Sequence, residues 1–310
     1  MDNILIILVV SISFFTSYLL KKLYTRLGKF DAINFRSVHQ SRATKTGGIS
    51  VFFTIFIISS YYYLQSNQIY DFSILIPLGI MFIVGVYDDF YNANFKLKFF
   101  LQIIVAKILI DTGLVIENFH GVLGIYEIPR LVSQLFTIFV FLIIVNAINF
   151  IDGIDGLALT EVIKVIIVIE LLSQNKTPFF FLGTITVLAL LPLYYFNFKK
   201  DNKVFLGDAG SLFLGTLVSI YIFYLLGSEF YFINNICLNK PLFAMSLIAY
   251  PLIDLLRVFI IRLKNKKSPF NPDQNHIHHF LLKKGFSHFL IVSIILSISL
   301  IFLFSFFLIS

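Results

Sequence analysis

The sequence NAINFIDGIDGLA, residues 146–158, decides how the rest of the chain is interpreted. It follows an apolar run, residues 131–145, and brings two Asn and two Asp side chains close together. At the centre of a bilayer each carboxylate would cost about 2.5 to 3.5 kcal/mol, so ionised side chains are disfavoured there. The stretch therefore predicts a helix end that carries polar chemistry at a wet edge of a membrane.

The polar residues of this stretch have helical spacing. Asn146, Asn149 and Asp152 recur every third residue and predict one polar side of the helix end, after which two glycines let the backbone turn tightly. A purely structural alternative makes Asp155 the cap of the next helix. Capping explains one acid and leaves the other acid and both amides unexplained.

The composition predicts an integral membrane protein. Of the 310 residues, 58% are hydrophobic and 13% are charged, which is too little polar surface for a water-soluble globule of this size. A single cysteine excludes an intrachain disulfide and a cysteine-based metal site. We therefore predict an all-α fold: one transmembrane domain, residues 1–310, built as a polytopic bundle of about ten helices.

The predicted spans and their loops also give an orientation. Ten segments are apolar and long enough to cross a bilayer: 3–20, 47–64, 72–87, 97–116, 131–151, 157–172, 179–196, 211–227, 241–263 and 288–310. Lys and Arg concentrate in the odd-numbered loops, since the even-numbered loops and their edges hold only Arg130, Lys176 and Lys240. The positive-inside rule then places the odd loops in the cytoplasm and both termini outside.

Every chemically suggestive cluster falls in an odd-numbered loop. In the first loop, the basic residues Arg36, His39, Arg42 and Lys45 precede Gly47 and Gly48. Their side chains and the backbone N–H groups at the helix start favour an anion cradle; a plain basic flank is the alternative. In the third loop, Asp88 and Asp89 are adjacent. Neighbouring carboxylates repel one another unless a cation lies between them, which favours a Mg²⁺–diphosphate site over a solvated acidic turn.

The seventh and ninth loops add further candidates. Asp208 lies on a glycine-bracketed turn with Ser211 as the predicted N-cap, so its carboxylate can hold a metal while exposed amides face a phosphate. The ninth loop contains three histidines close to Arg262, a pattern that favours contacts to a sugar or a diphosphate over a closed Zn²⁺ site. A segment lying on the membrane surface is the structural alternative. Asp254 and Arg257, spaced i,i+3 inside a span, are either an ion pair or functional.

Four motifs in order resemble a known family. They are DDFYN (88–92), NAINFIDGIDGLA (146–158), VFLGDAGSLFLG (204–215) and PDQNHIHHFLLKKGF (272–286). Together they are similar to the polyprenyl-phosphate N-acetylhexosamine-1-phosphate transferases, the glycosyltransferase 4 family. The resemblance implies Mg²⁺-dependent transfer of a sugar 1-phosphate, from UDP-N-acetylglucosamine or a derivative, to undecaprenyl phosphate with release of UMP. The product initiates a cell-surface glycan such as O-antigen, capsule or teichoic acid.

The resemblance also assigns site residues. The catalytic candidates are Asp88, Asp89, Asp152 and Asp155, with Asp88 as a base or a lipid-phosphate contact, and the metal candidates are Asp208 and Asp152. The substrate-binding candidates, including those expected from the residues alone, are Lys98, Asn149, Asn197, Arg262, His276, His278, His279, His39 and Arg42. Where the family's acidic motif commonly ends in a third Asp, this chain has Asn92, which weakens a metal role at that position.

The implied partners are the polyprenyl lipid, a UDP-sugar and the membrane, with a homodimer possible and nucleic acid excluded. Mn²⁺ is a possible substitute for Mg²⁺, and the predicted location is the inner (plasma) membrane with the active site facing the cytoplasm. Three alternatives compete: a secondary transporter, a CDP-alcohol-type phosphotransferase and a non-catalytic scaffold. A transporter favours ionisable groups near the midplane, whereas these acids follow the spans at one edge.

Overall fold

The computed structural model describes residues 3–31, 42–235, 238–266, 268 and 276–309. These residues form helices α1 (Asn3–Arg26), α2 (Gly47–Leu64), α3 (Leu75–Tyr91), α4 (Phe95–Asp111), α5 (Arg130–Ile151), α6 (Leu157–Leu172), α7 (Phe180–Asn197), α8 (Gly207–Leu226), α9 (Lys240–Leu247), α10 (Ala249–Lys264), α11 (Ile277–Lys283) and α12 (His288–Ile309). Two short strands, β1 (Ala43–Thr44) and β2 (Lys203–Val204), lie between them.

The predicted all-α polytopic fold class is confirmed. Among the described residues, seven helices are long and apolar enough to cross a membrane, and an eighth candidate is the bent pair α9–α10. The other two predicted spans correspond to α4 and α6, which have 17 and 16 residues. Every predicted span therefore coincides with a helix or, in one case, with two.

The predicted ninth span, 241–263, is a bent pair of helices rather than one continuous helix. The chain bends by 74° between α9 and α10, at Ile248. Pro251 in the first turn of α10 explains the break, because its ring lacks an N–H and clashes with the carbonyl four residues earlier, on Leu247. The bend separates α10 from α9 and lets α10 lie against α5.

Helix α8 is the centre of the bundle. Nearly all of its residues are buried, and it packs against α2, α3, α5 and α6. Two glycines of neighbouring helices make this approach possible: a Cβ on Gly85 of α3 would lie 2.2 Å from the Asp208 carbonyl oxygen, and one on Gly48 of α2 would lie 2.1 Å from the Gly210 nitrogen. Small residues allow helix backbones to meet closely. The first turn of α8 is therefore where α2 and α3 converge.

The strands join two loops that are far apart in sequence. β1 pairs with β2 in parallel, with Ala43 opposite Lys203. Beyond the ladder, the N–H of Gly47 donates to the Phe205 carbonyl at 2.9 Å and the N–H of Gly48 donates to the Leu206 carbonyl at 2.8 Å. The predicted anion cradle on these two amides was therefore wrong, because the main chain already satisfies both donors.

Candidate active site

Helix α8 begins at Gly207, and Asp89 of α3 caps it. The carboxylate of Asp89 accepts the N–H of Asp208 at 3.1 Å on one oxygen and the N–H of Ala209 at 2.9 Å on the other. The prediction that Ser211 is the N-cap was wrong, because Ser211 lies inside the helix. The expectation that backbone amides at this helix start face a phosphate was also wrong for Asp208 and Ala209, because both N–H groups donate to Asp89. A carboxylate at a helix N-terminus is favoured by the unsatisfied N–H groups and by the helix dipole.

Asp208 lies at the centre of the polar contacts. The side-chain amide of Asn149 donates to one oxygen of Asp208 and, at 2.7 Å, to the hydroxyl of Ser211. The carboxyl groups of Asp208 and Asp88 lie within hydrogen-bonding reach of each other, and the Lys98 ammonium pairs with Asp88. The structure thus brings four predicted site residues from α3, α4, α5 and α8 into one cluster.

Lys45 completes the cluster from the loop before α2. Its ammonium nitrogen lies 3.2 Å from Asp31 and 3.6 Å from Asp89. Burial lowers the pKa of Lys45, but the attraction of Asp31, Asp89 and Asp208 outweighs burial and raises the pKa above its ordinary value. The sequence analysis included Lys45 among the basic residues of the predicted anion cradle, but not among the catalytic, metal or substrate-binding candidates.

Asp152 follows the last residue of α5 and lies in the electrostatic field of Asp208 and Asp89. Burial raises the pKa of its carboxyl well above the ordinary range, and repulsion from Asp208 and Asp89 raises it further, although Lys45 opposes the shift. Asp152, Asp88, Asp89 and Asp208 therefore share one electrostatic environment. Such a concentration of carboxylates is relieved by a bound cation or by a proton.

Asp155 makes different contacts. Its carboxylate pairs with Lys203 of β2 and lies 2.9 Å from the Nδ1 atom of His288, at the start of α12. Gly156 rather than Asp155 is the N-cap residue of α6, and the Asp155 carboxylate pairs with Lys203 instead, so the structural alternative for Asp155 was wrong. Asp155 connects the turn after α5 to β2 and α12. Lys203 and His288 lie outside the residues that the sequence singled out, because neither is close to Asp155 along the chain.

Three histidines, His276, His278 and His279, lie near the end of α5 and the turn that follows it. Nδ1 of His276 lies 2.7 Å from the Asp254 carboxylate, which gives Asp254 a partner outside its own helix. The ion pair of Asp254 with Arg257 stays a prediction. Nε2 of His278 would lie 3.2 Å from a Cβ on Gly153. Burial lowers the pKa of His278 well below its ordinary value, and the positive charge of neighbouring histidines would lower it further. The ring of His279 lies beside that of His278, with ring centres 4.4 Å apart and the planes tilted by 55°.

An apolar groove leads away from this region between α4, α5 and α10. It has a volume of about 210 Å³. Asn146 and Arg262 are its polar members, and the guanidinium of Arg262, which is 3% exposed, lies 5.8 Å from the centre of the Phe150 ring. The apolar lining consists of Phe99, Phe139, Leu142, Ile143, Phe150, Leu255 and Phe259.

Three predicted substrate-binding residues lie elsewhere or outside the described chain. The buried amide of Asn197 donates to the Val204 carbonyl at 2.9 Å and so supports β2. Arg42 places its guanidinium 5.4 Å from the centre of the Phe30 ring. His39 lies outside the described residues.

The donor chemistry of the cluster fits Mg²⁺. Among the described residues, no three His, Cys, Asp or Glu side chains are arranged to hold a metal. Mg²⁺, however, is usually held by one or two carboxylates and completes its shell with water and substrate phosphates. The neighbouring carboxylates of Asp88 and Asp208 provide such a pair, and Asp152 lies in their field. Magnesium binding at these residues stays a prediction.

Comparison with known proteins identifies relatives across most of the chain. A model of the family described as Glycosyl transferase family 4 matches residues 71–226. The undecaprenyl-phosphate alpha-N-acetylglucosaminyl 1-phosphate transferase of Pasteurella multocida (strain Pm70) is 34% identical, over 88% of this chain and 76% of the relative. The probable undecaprenyl-phosphate N-acetylglucosaminyl 1-phosphate transferase of Bacillus subtilis (strain 168) is 30% identical, over 92% of this chain and 78% of that relative. The chain therefore belongs to glycosyl transferase family 4.

Proposed function

We propose that this protein transfers N-acetylhexosamine 1-phosphate from a UDP-sugar, UDP-N-acetylglucosamine or a derivative, to undecaprenyl phosphate and releases UMP. Its relatives carry the names of N-acetylglucosaminyl 1-phosphate transferases that act on this lipid. The observation that carries the proposal is the meeting of Asp88, Asp152 and Asp208 with two lysines beside an apolar groove.

The groove suits the polyprenyl acceptor. Its walls are almost entirely aromatic and aliphatic, as a hydrocarbon chain requires. Arg262 at its polar side offers a guanidinium, whose planar donors match phosphate geometry. In this arrangement the lipid chain occupies the groove and its phosphate lies near Arg262 and Asn146.

The residues of the cluster meet the demands of phosphoryl transfer. The reaction needs aligned reactants and neutralised oxygens more than covalent participation by the protein. Lys98 and Lys45 compensate part of the negative charge around Asp88 and Asp89. A bound Mg²⁺ would neutralise diphosphate oxygens, and Asp208 and Asp88 would hold it. In this proposal the histidines bind the diphosphate and the sugar of the UDP-sugar.

A strong general base is not required. A phosphomonoester has a second pKa of about 6, so the lipid acceptor is mostly dianionic at neutral pH. Asp88 is paired with Lys98 and adjacent to Asp208, which suits charge positioning better than proton removal. We assign Asp88 to holding the cation and aligning Lys98.

The active site faces the cytoplasm of the inner membrane in this proposal. The basic residues of the odd-numbered loops, including Lys45, Lys98 and Lys203, lie at the end of the bundle that carries the acids. Positive charge marks the cytoplasmic side of membrane proteins. Sealed vesicles of opposite orientation test this: only inside-out vesicles should consume an impermeant UDP-sugar.

Purified protein in detergent tests the reaction. It is supplied with undecaprenyl phosphate and a panel of UDP-sugars, and UMP and the lipid-linked diphosphate are measured. Wild-type protein should release UMP with UDP-N-acetylglucosamine or a derivative, lose this activity in EDTA and recover it with Mg²⁺. Asp208→Asn should lower the rate at least 100-fold, whereas Asp111→Asn, which alters an exposed ion pair with Lys107, should not. Normal release by folded Asp208→Asn would contradict the proposed role. Uptake of a UDP-sugar into sealed vesicles that contain the protein, without release of UMP, would favour a transporter.

A further inference from the structure

A carboxylate outside the acidic cluster is fully buried in α10. Asp254 has no exposed surface, and its helix belongs to one of the candidate spans. An ionised group at such a position is costly unless it has partners. Both of its oxygens are engaged: one lies 2.7 Å from Nδ1 of His276, and the other accepts the N–H of Ile277 at 2.8 Å. Asp254 therefore binds the start of α11 at two points.

These contacts fix the orientation of the His276 ring. A carboxylate facing Nδ1 requires that this nitrogen carry the proton, so Nε2 points away from Asp254. The ring lies beside Phe150, with centres 5.8 Å apart, and Phe150 follows Asn149 of the acidic cluster. Nε2 of His276 is thereby held on the side of α11 that faces α5.

The same face of α10 also holds the next histidine. Tyr250 lies one helical turn before Asp254, and its hydroxyl is 3.4 Å from Nδ1 of His278. Asp254 itself is 3.9 Å from that nitrogen. One face of α10 thus contacts two imidazoles: His276 lies beside Phe150 of α5, and His278 lies beside Gly153 in the turn that follows α5.

We propose that Asp254 is a positioning residue that acts through His276: it orients the imidazole toward the diphosphate of the sugar nucleotide. This inference rests on the proposed function for the identity of the ligand. Asp254 does not touch the reacting groups itself. The competing explanation is that Asp254 only anchors α11 to α10 and contributes to folding alone.

A double-mutant cycle separates the two explanations. Asp254→Ala removes both acceptors, and Asp254→Asn keeps one oxygen in case the first variant folds poorly. We expect Asp254→Ala to lower kcat for UMP release at least tenfold and Asp254→Glu to restore part of it. In a His276→Ala background the same change should cost less than twofold, because the residue through which Asp254 acts is gone. Equal losses in both backgrounds would overturn the proposal, and Asp111→Asn is the control.

A second readout does not depend on activity. Nitrogen NMR of ¹⁵N-histidine-labelled protein in detergent reports which ring nitrogen carries the proton, and His276→Gln assigns the signal among the six histidines. Wild-type His276 should be protonated on Nδ1, and Asp254→Ala should shift the neutral ring toward the Nε2–H form. An unprotonated Nδ1 in the wild type, or no change in the variant, would overturn the proposal. If the expected signals appear but no UDP-sugar yields UMP, the proposed function fails and the Asp254–His276 contact stands.

Discussion

Asp89 should stabilise the protein by capping α8, and removing its carboxylate should be measurable as a loss of stability. Its side chain is 5% exposed and accepts two backbone N–H groups of the first turn. Each buried donor left unpaired costs about 1 to 3 kcal/mol, and relief of the repulsion between Asp89 and Asp208 offsets part of this cost. We expect Asp89→Ala to lower the free energy of unfolding by about 3 kcal/mol. Lys45 retains Asp31 at 3.2 Å, so no ammonium is left unpaired.

The assay is thermal unfolding followed by circular dichroism, together with UMP release. At about 2 °C for each kcal/mol, Asp89→Ala should melt about 6 °C lower, and Asp89→Asn, which keeps one acceptor, should lie between. Asn94→Ala removes a cap from the exposed start of α4, where the side chain accepts the N–H of Lys96, and should cost about 1 kcal/mol or less. If Asp89→Ala abolished UMP release at an unchanged melting temperature, the capping argument would be refuted in favour of direct substrate contact.

Three further predictions follow from the same geometry. Gly85→Ala forces a Cβ against the α8 backbone and should lower UMP release at least tenfold, whereas Gly79→Ala, which meets only a ring carbon at 3.7 Å, should not. The pKa of His278 is lower in the folded chain than in the unfolded chain, so below pH about 6.5 the unfolded chain binds a proton that the folded chain does not. The free energy of unfolding should therefore fall with acidification by up to about 1.4 kcal/mol per pH unit. Melting temperatures of His278→Gln from pH 7.5 to 5 should show a flatter slope. Arg262→Gln should raise KM for the lipid more than KM for the UDP-sugar in two-substrate kinetics, unlike exposed Lys264→Gln.

Local composition was enough to predict the helices. The boundaries 47–64 and 157–172 of α2 and α6 coincide with their apolar runs, because such runs alone determine where a chain can cross a bilayer. The helical spacing of Asn146, Asn149 and Asp152 was likewise confirmed, since the first two lie in α5 and Asp152 follows its last residue. These features depend on residues near one another in sequence.

Contacts between distant segments could not be predicted in the same way. The sequence shows that Ser211 suits an N-cap, yet the cap of α8 comes from Asp89, 119 positions before Asp208. It also shows that Asp254 and Arg257 have the spacing of an ion pair, but it does not show that Asp254 binds His276, 22 positions later. In both cases a buried carboxylate takes backbone donors that no local pattern reveals.

The two acids of the DGIDG turn show how the end of a helix changes the partners of nearby side chains. If the helix continued, Asp152 and Asp155 would lie on one face at i,i+3 spacing. Helix α5 instead ends at Ile151, and a turn connects it to α6, which begins at Leu157. Asp152 therefore stays with the acids of α3 and α8, while Asp155 reaches Lys203 and β2. Since β2 also pairs with the strand just before Lys45, the Asp155–Lys203 contact fixes the loop that delivers Lys45 to Asp89. Asp155 thus supports the cluster through the scaffold, although its motif suggested that it belongs inside it.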